Sequence, residues 1–239
     1  MVHYNPWPLG KLPEGWRRPE PELIRNEGYS WEDPRDIVTI FEEKLAEYSN
    51  SKYAVVTDCA TNALFLCLKY RQRTENIFQA VEVPARTYVS VPMQVLHANL
   101  GVSFRDEQWS GIYELRSTKI IDGAGRFTKN MYTGNNNLHV LSFQIKKRLP
   151  IGRGGAILTD SLDAYEWLKK ASYDGRDLNT PYDSINHVTQ IGWHFYMTPE
   201  DAARGILIMD QLDDHLPDTM TYENYPDISK LDIFGSQAS

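Results

Sequence analysis

The amino-acid sequence predicts an α/β fold, a mostly parallel sheet flanked by helices. Two observations carry that prediction. Short β-rich runs alternate with segments of helical periodicity along most of the chain, the pattern of strands joined by crossover helices. The composition, 41% hydrophobic and 24% charged over 239 residues, supplies apolar side chains for one large core.

The elements follow in order. Pro6, Pro8, Pro13, Pro19 and Pro21 fall within residues 1–32, a density that predicts an extended, proline-rich arm. Trp7 and Trp16 give this arm groups to pack with. An α/β domain over 33–214 comes next. Asp33 with Pro34 starts a helix that sets Ile37, Val38, Phe41, Leu45 and Tyr48 on one face. A β-rich run over 53–57 leads into a helix over 61–73. The strand over 80–84 is followed by a helix-compatible stretch over 88–98. Further strands are expected over 101–104, 119–122, 138–143 and 155–159. Helices cover 160–173 and 199–213, the second capped by Thr198 with Asp201 three residues on. Residues 215–239 are polar with scattered aromatics and read as a C-terminal tail or a partner-facing extension.

Charge and composition remove several functions. Lys and Arg total 25 against 32 Asp and Glu, a net charge of −7, which disfavours a nucleic-acid grip through phosphates. The longest apolar run, 63–68, falls far short of the roughly 20 residues that span a membrane. The N-terminus lacks the pattern of a signal peptide. Cys59 and Cys67 form no C-x-x-C pair. The chain is expected to be soluble and cytoplasmic, with no nucleic-acid or membrane partner. It has no phosphate-loop, dinucleotide or nucleophile-elbow motif. The six histidines never fall at metal-ligand spacing, so no metal is expected.

Four segments carry chemistry. Asp58-Cys-Ala-Thr-Asn-Ala63 joins a strand to a helix whose first amides and Thr61 hydroxyl suit an anion; they suit a plain helix cap equally. Ile120-Ile-Asp-Gly-Ala-Gly125 ends a strand on Asp122, where open α/β sheets bind ligands, although a capping role would look the same. Ser142-Phe-Gln-Ile-Lys-Lys147 leads to a Gly-rich turn through Gly155. A lysine there is a nucleophile toward aldehydes if its pKa is lowered, or one of a solvated basic pair. Pro84-Ala-Arg-Thr-Tyr88 places an aromatic just after a strand.

In this order and spacing the segments resemble the DegT/DnrJ/StrS aminotransferases, fold-type I pyridoxal-phosphate enzymes acting mainly on keto-sugar nucleotides. The resemblance spans about residues 24–214. It begins with Phe41-Glu42 through Tyr53-Ala-Val-Val. Cys59-Ala60-Thr61-Asn62-Ala63-Leu64 is similar to the phosphate turn Ser-Gly-Thr-x-Ala-Leu. Val83 to Tyr88 matches the segment whose aromatic stacks on the cofactor, and Ile121-Asp122-Gly123-Ala124 the strand end whose Asp pairs with the pyridine nitrogen. Ser142-Phe143, Lys147 and Gly154-Gly155 reproduce the spacing around the cofactor-binding lysine, so Lys147 and not Lys146 is the match. Gly192 to Met197, then Ala202-Ala203, resembles the block that completes a neighbouring subunit's pocket.

The resemblance implies a cofactor, pyridoxal 5'-phosphate, and amino transfer from a small-molecule donor onto a carbonyl acceptor, a keto-sugar or sugar nucleotide. It implies catalytic roles for Lys147 and Asp122, and cofactor contacts from Ala60, Thr61, Tyr88 and Ser142. His194 and Tyr196 would face a partner subunit or substrate in a homodimer. The pattern also departs from the family. Ala60 replaces a glycine, Gly125 a Gln or His, and His194 and Tyr196 an Asn and an Arg. The stretch between Asp106 and Asp122 is too short for the usual extra strand and helix. Most of the small C-terminal domain is missing, so a compact member is expected. The alternative is a non-catalytic binding or assembly subunit that retains the scaffold.

Overall fold

The computed structural model describes residues 17–75, 80–180 and 187–235. In chain order its helices are α1 (Glu20–Asn26), α2 (Arg35–Ser49), α3 (Ala60–Glu75), α4 (Ser90–His97), α5 (Leu162–Ser172), α6 (Pro199–Met209) and the short α7 (Asp232–Gly235). Its strands are β1 (Tyr53–Thr57), β2 (Val81–Pro84), β3 (Val102–Arg105), β4 (Tyr113–Leu115), β5 (Ile120–Asp122), β6 (Leu138–Ser142) and β7 (Gly155–Thr159).

Alternating side chains along these strands build two cores from one sheet. Val55 of β1, Val140 of β6 and Ile157 of β7 face a layer containing α3, α4 and α5. Ala54, Val56, Leu141 and Leu158 face the opposite layer, which holds α2, α6 and Ile24 of α1. The α/β class predicted by the alternation is the class observed.

The strand order is β1-β7-β6-β5-β4. An antiparallel bridge from Glu82 to Arg116 then joins β4 to the parallel pair β2-β3. The expectation of mostly parallel pairing needs correction. Only β5–β6 and β2–β3 pair in parallel; β1–β7, β6–β7 and β4–β5 are antiparallel. Five of the seven strands still run the same way, because β4 and β7 alone are reversed within this order. The reversal of β4 has a simple cause. Residues 116–119 separate it from β5, whereas a parallel crossover takes roughly a dozen residues.

Both ends of the chain differ from the expectation. Within the proposed arm, Glu20–Asn26 is helical with Pro19 at its start, a position where proline is tolerated. This helix packs on α6, with Arg18 paired to Asp201 at 2.7 Å. Trp7 and Trp16 lie outside the described residues. The tail is packed on the domain over its described length, 215–235. It folds back on the domain, burying Ile228 and Phe234, with the Ile228 amide bonded to the Ala85 carbonyl.

Candidate active site

The strand directions gather one edge. β1, β2, β5 and β6 end there, while β4 and β7 begin there. Gly155 lies opposite both Thr57 and Ser142, and Asp122 lies between Val140 and Tyr113. Residues far apart in sequence therefore meet beyond the strand ends, the usual ligand-binding place of an open α/β sheet.

Lys147 stands on the turn leaving β6. Its backbone amide bonds the Gln144 carbonyl, while Phe143 and Gly154 pair amide to carbonyl at the base of the turn. Gly154 has φ +141°, a backbone conformation that favours glycine. Lys147 is half-buried and Lys146 exposed. Burial pushes the Lys147 amine below the ordinary lysine range, opposed by the negative field of Asp122. The Lys147 ammonium donates to the Met220 sulfur at 3.0 Å.

Asp122 is buried at the end of β5. Its carboxylate accepts from the Tyr113 hydroxyl at 2.5 Å and from the Ala124 amide at 2.9 Å. Burial raises its pKa above the usual carboxylate range; the Tyr113 and Ala124 hydrogen bonds and the Lys147 charge act the other way.

The phosphate-turn candidates sit between two helix starts. Ala60 is the first residue of α3, and the Thr61 hydroxyl lies 3.1 Å from that of Ser90, the first residue of α4. First-turn amides lack intrahelical acceptors and favour anions. Gly155 presses on this turn: a Cβ there would lie 2.5 Å from the Ala60 nitrogen. Ser142 closes β6, half-buried. Tyr88 precedes α4 with 59% of its surface exposed.

His194 and Tyr196 are placed differently. The His194 Nδ1 lies 2.8 Å from an Asp174 carboxylate oxygen, and Tyr196 stacks on Tyr173 at 4.7 Å. Both contacts lie at the C-terminal end of α5. Among the described residues, the His194 and Tyr196 contacts named here do not reach Lys147 or Asp122.

Three residues of the edge had no motif to reveal them: Tyr113, Met220 and Tyr225. The Tyr225 hydroxyl donates to the same Met220 sulfur at 2.9 Å, and its ring lies 5.8 Å from that of Trp109. The returning segment is stitched to the site loops by backbone bonds, from Gly111 to the Met220 carbonyl and from Thr219 to the Gly125 carbonyl. This crossing also explains Gly125. A Cβ there would meet Gly111 at 3.0 Å and the Met220 carbonyl at 3.2 Å.

Comparison with known proteins now bears on this geometry. Residues 27–110 match the family described as DegT/DnrJ/EryC1/StrS aminotransferases. No curated protein matches. Among solved structures, a sugar aminotransferase from Micromonospora echinospora aligns with TM-score 0.64 at 14% identity, covering 80% of this chain and 64% of its own. An aminotransferase involved in pseudoaminic acid biosynthesis, from Helicobacter pylori, aligns with TM-score 0.62 at 17% identity, covering 80% and 61%. The GDP-4-keto-6-deoxy-D-mannose-3-dehydratase of E. coli, solved with bound hydrated PLP, aligns with TM-score 0.60 at 15% identity, covering 80% and 64%. The chain therefore spans just over three-fifths of these proteins. Residues 27–110 are thus similar to the DegT/DnrJ/EryC1/StrS aminotransferase family, and the chain shares its fold with those structures.

Proposed function

We propose that this protein binds pyridoxal 5'-phosphate at the strand-end edge and uses it to move an amino group onto a carbonyl substrate of the keto-sugar class. The observation that carries the reading is the convergence of Lys147 and Asp122 on one strand-end edge. A half-buried amine on the turn leaving β6 and a buried carboxylate closing β5, 25 residues apart in sequence, come from neighbouring parallel strands.

The residues present fit the cofactor. Asp122 is a buried carboxylate with two donors on it, and a carboxylate offers about four acceptor positions. Room remains for the ring N–H, whose positive charge would offset the cost of burying this anion. The starts of α3 and α4, with Thr61 and Ser142, would hold the phosphate. Tyr88 would cover the ring. Met220 must release the lysine, and a thioether on a flexible side chain can rearrange at little cost.

When bound, the cofactor supplies an electron sink for the amino donor's carbanion. The chain supplies the rest. Burial favours the uncharged form of the Lys147 amine, the form in which Nζ acts as a nucleophile and takes up a proton. Asp122 holds the proton on the ring nitrogen. A non-catalytic subunit would have no use for an amine and a buried carboxylate gathered at this edge, so the assembly alternative is not favoured.

Tyr88 and Ile145 leave 59% and 58% of their surfaces exposed beside this edge. We propose that a second copy covers them in a homodimer, the commonest symmetric assembly, and that His194 and Tyr196 serve a partner's site. The free Cys59 and Cys67 suit a reducing, cytoplasmic compartment. None of the described helices is long and apolar enough to cross a membrane.

Absorbance titration with pyridoxal phosphate tests the cofactor step, and conversion of its spectrum by an amino donor tests transfer. Saturable binding followed by donor-dependent conversion is expected. A protein that binds the cofactor without any donor-dependent change would be an assembly or binding module instead.

A further inference from the structure

Tyr113 opens β4 directly opposite Asp122, which closes β5. Its hydroxyl donates to the carboxylate at 2.5 Å and is itself in contact with the Thr87 hydroxyl. The single Tyr113 proton is committed to Asp122, so Thr87 is the donor in that second bond. All three residues are buried. The Tyr113 ring is held from the other side by Trp109 at 4.8 Å, whose indole N–H bonds the Arg86 carbonyl at 2.9 Å. The 86–88 loop, the 109–113 segment and the end of β5 thus form one hydrogen-bonded unit. It exists because the short link 116–119 reverses β4 and brings its first residue to the functional edge.

We propose that Tyr113 is a positioning residue for Asp122: its hydroxyl, braced by Thr87, orients the buried carboxylate and keeps it ionised to receive the cofactor's ring nitrogen. The role in catalysis rests on the reading above; the effect on Asp122 does not. A hydrogen bond to the charged form favours that form. Burial works against ionisation here and is the larger influence on Asp122, with the Tyr113 bond next and opposed. Burial and the neighbouring carboxylate keep the Tyr113 hydroxyl well above its ordinary pKa, so it stays a donor throughout the working pH range. Without it the carboxyl would retain its proton to higher pH and lose a fixed orientation.

The experiment compares wild type, Tyr113→Phe and Thr87→Val in the full chain. Carboxyl carbon resonances of Asp-labelled protein are followed with pH, and Asp122 is assigned through Asp122→Asn. Tyr113→Phe is expected to move the Asp122 titration upward by about one unit, a tenfold gain in proton affinity. Thr87→Val should move it the same way by less. If the Phe variant fails to fold, the Thr87→Val shift decides. Unchanged Asp122 titration in the folded variants would overturn the proposal. In cofactor-loaded protein, the pH at which the bound chromophore changes its absorbance should shift between wild type and Tyr113→Phe. Failure of wild type to take up cofactor would sink the proposed function, while the carboxyl titration would still judge Tyr113.

Discussion

The two sides of the functional edge are built differently. On one side, β6, its turn and β7 place Ser142, Lys147 and Gly155 through spacings of a few residues. On the other, Tyr113 and Met220 reach Asp122 and Lys147 only because β4 is reversed and the segment after α6 returns across the domain. The local side carries the groups that react; the crossing side carries the groups that hold them. Substitutions should therefore divide into losses of chemistry and losses of placement.

The largest effect is expected at Lys147. Lys147→Ala removes the nucleophile and the proton carrier together, and donor-driven turnover should fall by about 10³-fold or more. Lys146→Ala, on an exposed neighbour, should change turnover less than threefold by the general tolerance of exposed positions. Equal losses would erase the distinction that burial draws between the two lysines. Asp122→Asn comes next. The amide cannot hold the ring nitrogen protonated, and half-reaction rates should drop by about 10²-fold, with cofactor affinity affected far less.

Stability sharpens the comparison away from the chemistry. His139 on β6 is fully buried, and neither ring nitrogen has a partner in the described residues. Burial, assisted by the Arg126 charge, lowers its pKa from 6.5 to about 3. The unfolded chain binds the proton first, so stability is present above about pH 6.5 and is lost as pH falls toward 3. The loss should reach about 4–5 kcal/mol. Chemical denaturation from pH 7 to 4 should show that slope in wild type, and His139→Leu should flatten it. A smaller effect is expected at Gly155, where a methyl would press on the Ala60 backbone. Gly155→Ala should cost about 1–3 kcal/mol, and weaken cofactor binding by displacing the start of α3.

The same division explains what could be read in advance. The strands over 53–57 and 155–159 and the helix capped by Thr198 were legible from short-range pattern alone. The candidacy of Lys147 and Asp122 came from the resemblance to a family, since the local pattern also allowed a solvated lysine pair and a capping carboxylate. The helix at 20–26 was hidden by its flanking prolines, because Pro19 and Pro21 sit at its first turn, where a missing amide costs nothing. The three-residue strand β4 is too short to show a period. The contacts of Met220 and Tyr225 depend on a return of the chain over more than 70 residues, which no local signal encodes. Gly125 was visible as a departure from the family pattern, but its cause was the crossing segment above it.

One measurement bears on the central claim most directly. The protein is saturated with pyridoxal phosphate, reduced with borohydride, digested, and mapped by mass spectrometry. The account predicts a single pyridoxyl adduct on Lys147. An adduct on Lys146, or none on the saturated protein, would contradict it.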